Sequence, residues 1–303
     1  MLLSVCACTG TVGGGTGGGG DSGGSAGGGA AGGSAGGSTA GGTAGGTAGG
    51  TAGGTAGGSA GGTAGGAPSD AGTCTATFCD DFERFDAGRQ PSAPWTVNAN
   101  GGTVQIDLAR AHSGNRSVHV HTDGLQPYRQ AYFRLNNAPF FPVTAFYGRA
   151  WFNLNAVPTQ VTHWTNISGE GPVADAGTNV RAFIRYGGQY SPTIMANYET
   201  SGAATDCWKH STTAMPADGG WHCYEWHYSQ PGNLMELWLD GTQITAATVT
   251  GVGQGCGGHD LGDKWLLPQF DTLRLGWEHY QTSDPIDIWF DDVALDAQRI
   301  GCN

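Results

Sequence analysis

From residue 74 onward, apolar and polar positions alternate in short runs separated by turn residues, the period-two pattern of half-buried strands. The clearest stretch is Phe270 to Leu295. Its first run sets Leu273, Leu275 and Trp277 on one face and Arg274, Glu278 and Tyr280 on the other. A turn over Gln281 to Pro285 follows, and Ile286 to Leu295 returns with one apolar face and Asp287, Asp291 and Asp292 along it. The same alternation predicts strands over Thr77 to Glu83, Trp95 to Val97, Thr103 to Ala109, Ser117 to His121, Tyr128 to Leu135, Phe146 to Leu154, Val161 to Ile167, Val180 to Tyr186 and Thr193 to Glu199. Trp221 to Tyr228 and Leu234 to Leu239 flank Ser229-Gln230-Pro231-Gly232-Asn233, a hairpin signal. No stretch keeps a 3.6-residue period over helical length. The pattern predicts an all-β domain, a sandwich or jelly roll of two antiparallel sheets.

Composition divides the chain at residue 74. Most of the 56 Gly lie before residue 68, while all 10 Trp lie after Cys74. Residues 9–73 repeat Thr-Ala-Gly-Gly and Ser-Ala-Gly-Gly units. Such a segment has nothing to bury against the entropy of ordering, so it is expected to be a disordered, flexible tether. Its composition is similar to that of tethers on surface lipoproteins of myxobacteria. Residues 1–8, MLLSVCAC, are expected to be the tail of a signal peptide, and Val5-Cys6-Ala7-Cys8 resembles a lipobox whose Cys8 would carry a lipid anchor. An ordinary secretory leader and a start codon placed too late are the alternatives. Residues 74–303 then form one domain.

Charge and cysteines narrow the classes. A net charge of -12 argues against nucleic acid, whose phosphates need a Lys/Arg surplus. No apolar run reaches the length of a membrane-spanning helix. Six cysteines fall in the domain without a Cys-x-x-Cys, which reads as disulfides of an exported protein rather than zinc ligands. Cys207 is expected to join Cys223 across neighbouring strands, and Cys302 to tie the last strand to the first through Cys74 or Cys79.

Several motifs together carry a family resemblance. Asp80-Asp81-Phe82-Glu83 opens the domain and Trp289-Phe290-Asp291-Asp292-Val293 closes it. Between them stand His112-Ser113-Gly114, Tyr147-Gly148-Arg149-Ala150-Trp151-Phe152, Trp221-His222-Cys223-Tyr224-Glu225-Trp226 and Leu237-Trp238-Leu239-Asp240-Gly241. From Cys79 to Cys302 the chain resembles concanavalin A-like jelly rolls, and among them the polysaccharide lyase-like group of glucuronan lyases and a fungal cellulose-induced protein. The resemblance implies an extracellular or cell-surface protein, expected to be a monomer, whose partner is a polysaccharide. It also implies a structural Ca2+ held by Glu83, the Ser113 turn, and Asp291 or Asp292. Solvated edge-strand acids are the alternative to that calcium site.

Fold alone does not fix function, so the candidate chemistry rests on residue types. Outward alternation nominates Tyr147, Arg149 and Trp151 on one strand and Arg181 and Arg185, with Phe183 between them, on another. His163, Asn197, Glu278, Tyr280 and Gln281 are expected on the same face. A uronate lyase needs a group that neutralises the carboxylate, a base for the C5 proton and an acid for the leaving oxygen. Arg181 or Arg185, His163 and Tyr280 match these roles by type, with Tyr147, Arg149, Trp151, Asn197, Glu278 and Gln281 binding the substrate chain. The predicted function is β-elimination of an acidic polysaccharide. A non-catalytic carbohydrate-binding module, with Trp151, Trp164, Trp277 and Tyr280 as a stacking platform, is the alternative, and it gains if the arginines are spent in ion pairs. A glycoside hydrolase ranks third, because the Glu-x-Asp-x-x-Glu strand motif is absent, and no Gly-x-Ser-x-Gly elbow supports a serine hydrolase.

Overall fold

The computed structural model describes residues 74–136, 139–174, 179–190, 192–201, 205–251, 254–257 and 265–303. They belong to one compact unit within Gly62–Asn303. The leader and tether expected over residues 1–73 lie outside the described residues.

Among the described residues seventeen strands form in chain order: β1 Phe78–Asp80, β2 Trp95–Asn100, β3 Gly102–Asp107, β4 Ser117–Thr122, β5 Arg129–Asn136, β6 Ala145–Leu154, β7 Trp164–Pro172, β8 Arg181–Gly188, β9 Thr193–Thr200, β10 Asp206–Ala214, β11 Trp221–Ser229, β12 Leu234–Leu239, β13 Thr242–Gln243, β14 Val249–Thr250, β15 Gly255–Gly257, β16 Thr272–His279 and β17 Ile286–Asp296. Thr245–Ala247 forms a 3-10 turn. Among the described residues no helix is long and apolar enough to cross a membrane.

The strands make two antiparallel sheets. The nine-stranded sheet runs β13-β12-β11-β6-β17-β4-β3, with β1 on β17 and β14 on β12. The eight-stranded sheet runs β15-β10-β9-β8-β7-β16-β5-β2. Their inner faces meet in one core, where Phe133 of β5 packs on Phe290 of β17 and Phe146 of β6 on Phe270. The expected jelly-roll sandwich is therefore the fold.

The two halves of Phe270 to Leu295 do not pair with each other. β16 lies between β7 and β5, while β17 lies between β6 and β4. The turn at Gln281–Pro285 is a crossover between sheets, not a hairpin. Within β17 a bulge shifts the register between Asp291 and Ala294, with Asp292 in the left-handed region at φ 47°. Ile286, Ile288 and Phe290 face the core before it and Val293 and Leu295 after it. The extra residue is what lets two consecutive aspartates sit at one place on the strand.

The disulfides differ from expectation. Cys74 joins Cys79, Cys207 joins Cys256, and Cys223 joins Cys302. Cys207 and Cys223 belong to different sheets, whereas Cys207 stands opposite Cys256 in the β10–β15 register. Cys302 reaches β11 because buried Glu225 holds the chain end there, accepting from Gly301 N–H at 2.7 Å and Arg299 Nη2 at 2.7 Å.

Candidate functional site

The outer face of the eight-stranded sheet gathers most of the chemistry. On β8, Ala182, Ile184 and Tyr186 point into the core, so Arg181, Phe183 and Arg185 point out. The β-register then aligns Arg134, Arg274, Ser168, Arg185, Asn197 and Trp208 across six strands, from β5 to β10. A second row of register partners reads Gln130, Glu278, Thr165, Gly187, Met195 and His210.

His163 and Tyr280 meet beside the second row, although 116 residues lie between them in the chain. Each ends at a neighbouring strand, β7 and β16, and Tyr280 N–H donates to the His163 carbonyl at 2.9 Å. Their rings stack at 4.6 Å between centroids and 23° between planes. The His163 N–H donates to Gln281 Oε1 at 2.7 Å, which fixes the loop that presents the imidazole. His163 Nε2 and the Tyr280 hydroxyl are both buried without a hydrogen-bond partner. Both atoms therefore keep their hydrogen-bonding capacity for a ligand.

Arg185 supplies the charge. Only 7 % of it is exposed, and its guanidinium lies 5.8 Å from the centre of the Tyr280 ring and 5.0 Å from that of Phe183. Nη1 donates to Glu199 Oε2. Burial works against the Arg185 charge, but Tyr280, Glu199 and Glu278 outweigh it and raise its pKa, so the cation persists. Burial, with Arg185 and His210 nearby, pushes His163 down to about 3. Its imidazole is neutral across the physiological range. Burial raises the Tyr280 hydroxyl, against the pull of Arg185, so it keeps its proton. Asn197 donates to Asp206 Oδ1 at 2.7 Å and to the Cys207 carbonyl at 3.0 Å, which leaves its buried Oδ1 without a partner. Glu278 accepts from the Tyr132 hydroxyl at 3.0 Å.

The other predicted residues stand elsewhere or are engaged. Arg181 shares the face of Arg185, but four residues along the strand it is clamped by Asp271, with Nη1 and Nη2 at 2.8 and 2.6 Å from the carboxylate. Tyr147, Arg149 and Trp151 are corrected outright, because β6 belongs to the nine-stranded sheet and its outward side lies on the opposite surface of the sandwich. There Tyr147 stacks on His227 at 3.9 Å and Trp151 on His112 at 3.7 Å, and Arg149 donates to the carbonyls of Gly301 and Asp292, both at 3.4 Å. Trp164 and Trp277 stack in the core at 4.8 Å, not on a platform. Gln281 holds His163 rather than facing a ligand. Sequence reasoning passed over Tyr132, Arg134 and Glu199, which the same alternation signals, and Asp206, Trp208 and His210 of β10, where that signal is weak.

The expected calcium ligands do come together, but as a hydrogen-bonded clasp. Asp291 accepts the backbone N–H groups of His112 at 2.7 Å, Ser113 at 3.2 Å and Asp292 at 2.8 Å. Asp292 takes Ser113 Oγ at 2.7 Å and His112 Nδ1 at 2.5 Å. Glu83 takes the N–H groups of Asn115 and Arg116, each at 2.6 Å, and the Arg116 guanidinium at 3.1 Å. Calcium takes six to eight oxygens, and here both oxygens of each carboxylate already meet donors. Burial and the neighbouring Asp292 push Asp291 up to about 8. Among the described residues no group of three or more His, Cys, Asp or Glu is arranged to hold a metal. With the donors as they stand, Glu83, Ser113, Asp291 and Asp292 are tied together by hydrogen bonds from the chain itself, and we expect the clasp to hold without calcium. Chelation is expected to leave the melting temperature unchanged. A fall under chelator, reversed by calcium and not by magnesium, would restore the calcium assignment.

The family profile described as polysaccharide lyase-like, Cip1-like core domain, matches residues 82–298. The solved structure of the cellulose induced protein Cip1 is 26% identical to this chain, with a TM-score of 0.56, covering 75% of this chain and 100% of its own. An endo-beta-1,4-glucuronan lyase from the fungus Trichoderma reesei is 14% identical, with a TM-score of 0.49, covering 74% of this chain and 96% of its own. No curated protein sequence matches the chain.

Proposed function

This chain belongs to the polysaccharide lyase-like family with a Cip1-like core domain, and from that premise we propose that it binds an acidic polysaccharide on the outer face of its eight-stranded sheet and cleaves it by β-elimination. The observation that carries the reading is the meeting of two unpartnered groups, His163 Nε2 and the Tyr280 hydroxyl, beside the buried cation of Arg185.

The uronate carboxylate docks against Arg185, whose planar fork suits a carboxylate. Pairing there withdraws electron density and makes the C5 proton removable. His163, with its ring proton on Nδ1, takes the C5 proton on Nε2. Electrons from the C5–H bond form the C4–C5 double bond and the C4–O4 bond breaks. The Tyr280 O–H gives its proton to O4, and proton exchange with solvent restores both groups. Asn197 Oδ1 is left to accept a sugar hydroxyl. The three disulfides and the glycan partner support an exported protein.

A binding module without turnover is the second reading, favoured by the ion pairs of Arg181 with Asp271 and Arg185 with Glu199. Incubation with a set of polyuronates, read by ultraviolet absorbance of the unsaturated product, separates the two. Product from at least one polymer is expected. Binding without product from any of them would make the module the function.

A further inference from the structure

Among the described residues the large exposed apolar side chains are not scattered. Five large ones stand out: Leu108, Leu125, Tyr128, Val161 and Tyr190. Four of them lie in segments at one end of the eight-stranded sheet. Leu125 and Tyr128 precede β5, Val161 precedes β7 by three residues, and Tyr190 follows β8. The register brings those strand ends to one rim, since Arg129 pairs with His279, His279 with Trp164, and Trp164 with Gly188. His163 and Tyr280 stand on that rim.

The two tyrosines bracket the site. The Tyr128 ring, 66 % exposed, meets the Tyr280 ring edge-on at 6.0 Å. The Tyr190 ring, 53 % exposed, lies 5.1 Å from the ring of His210, whose charge would be felt at His163. Between β5 and β10 lie five strand intervals, a span of about 24 Å at the usual strand spacing. Beside it lie four buried hydrogen-bonding atoms that have no partner, namely His163 Nε2, the Tyr280 hydroxyl, His210 Nδ1 and, one row further in, Asn197 Oδ1. A protein partner would favour a contiguous apolar patch. A sugar chain presents ring faces interleaved with hydroxyls, which is the complement of this row.

Resting on the lyase-or-binding reading above, we propose that an extended acidic glycan crosses the strands along this rim, with one sugar ring on Tyr128 and another on Tyr190. Affinity then depends on length, because a short fragment reaches one tyrosine at most.

Calorimetric titration with a glucuronate dimer, tetramer and octamer, and with the parent polymer, tests this. Wild-type affinity is expected to climb from dimer to octamer. Tyr128→Ala and Tyr190→Ala should each weaken the octamer about 2- to 10-fold, a ring stack's worth of binding, and leave the dimer centred on Arg185 unchanged. Tyr128→Phe and Tyr190→Phe keep the ring and should keep the affinity. Length-independent wild-type binding, or octamer affinity untouched by both alanine variants, overturns this inference while the proposed site stands. No binding of any uronate by the wild type overturns both. Length-dependent binding without unsaturated product removes only the lyase step.

Discussion

His163→Ala is expected to lower turnover of a polyuronate by about 10²- to 10⁴-fold, the usual contribution of a positioned general base, while binding of the polymer persists. Tyr280→Phe should lose a similar factor, because it removes the proton donor and keeps the ring that stacks on His163 at 4.6 Å. The double variant should be little worse than either single one, since base and acid serve the same step. The pH dependence gives a separate signature. Burial, Arg185 and His210 push His163 down to about 3, so the acid limb of kcat/KM, which reports the free enzyme's base, should fall far below the ordinary imidazole value of about 6.5. Stability follows with a definite sign. The unfolded chain takes up the His163 proton as pH falls through about 6.5, and the folded chain resists until about 3. Stability is therefore unaffected by this group above about 6.5 and is lost as pH drops through that window. His163→Ala should flatten that loss. Full activity in His163→Ala, or an acid limb near 6.5 that vanishes with another histidine, would reassign the base.

How far the sequence reaches can be seen in particular strands. Alternation marked β6, β11, β12, β16 and β17 within a residue or two, because each has a clean apolar face. It missed β10, where Asp206–Ala214 buries Cys207 and Ser211 behind polar neighbours and offers little apolar signal. It also cannot say which sheet a strand joins, since a strand alternates identically in either layer. That is why Tyr147, Arg149 and Trp151 were grouped with Arg185, although the chain crosses between sheets after Leu154. The same blindness misread Cys207 and Cys223 as neighbours. The nearness of His163, Asn197, Tyr280 and Arg185 was legible because strands β7, β8, β9 and β16 do lie side by side. The clasp at Asp291 was legible as a meeting of chain segments, but not its filling, which depends on backbone N–H directions and on the bulge.

Arg185 is where binding and stability can be told apart. A buried cation usually anchors a fold, and breaking such a pair costs about 3–5 kcal/mol when it strands a buried partner. Here the partner is Glu199, whose side chain is 42% exposed, against 8% for Arg185. Once alone, Glu199 can turn to water, and a methionine at 185 can lie between Phe183 and Tyr280 without carrying a charge into a dry site. Arg185→Met is therefore expected to melt close to the wild type. Its kcat/KM on a polyuronate should drop by about 10²- to 10³-fold, as when one donor to a developing anion is removed. Preference for an acidic glycan over its neutral counterpart should fall with it. Arg185→Lys should recover only part of the loss, since a point charge lacks the two-pronged geometry. A variant that unfolds would place Arg185 among the structural residues. One that stays folded and grips acidic polymer as tightly as the wild type would move the carboxylate subsite to Arg274 or Arg134, the next cations along the same row. Arg274 is already held by Glu170, at 2.5 Å and 3.1 Å, and its pairing with a carboxylate buried at 3 % exposure makes it the less available of the two outward charges. The release of Glu199 from Arg185 costs little; the release of Glu170 from Arg274 would leave a buried charge unpaired, which is why the substrate's carboxylate is expected at Arg185.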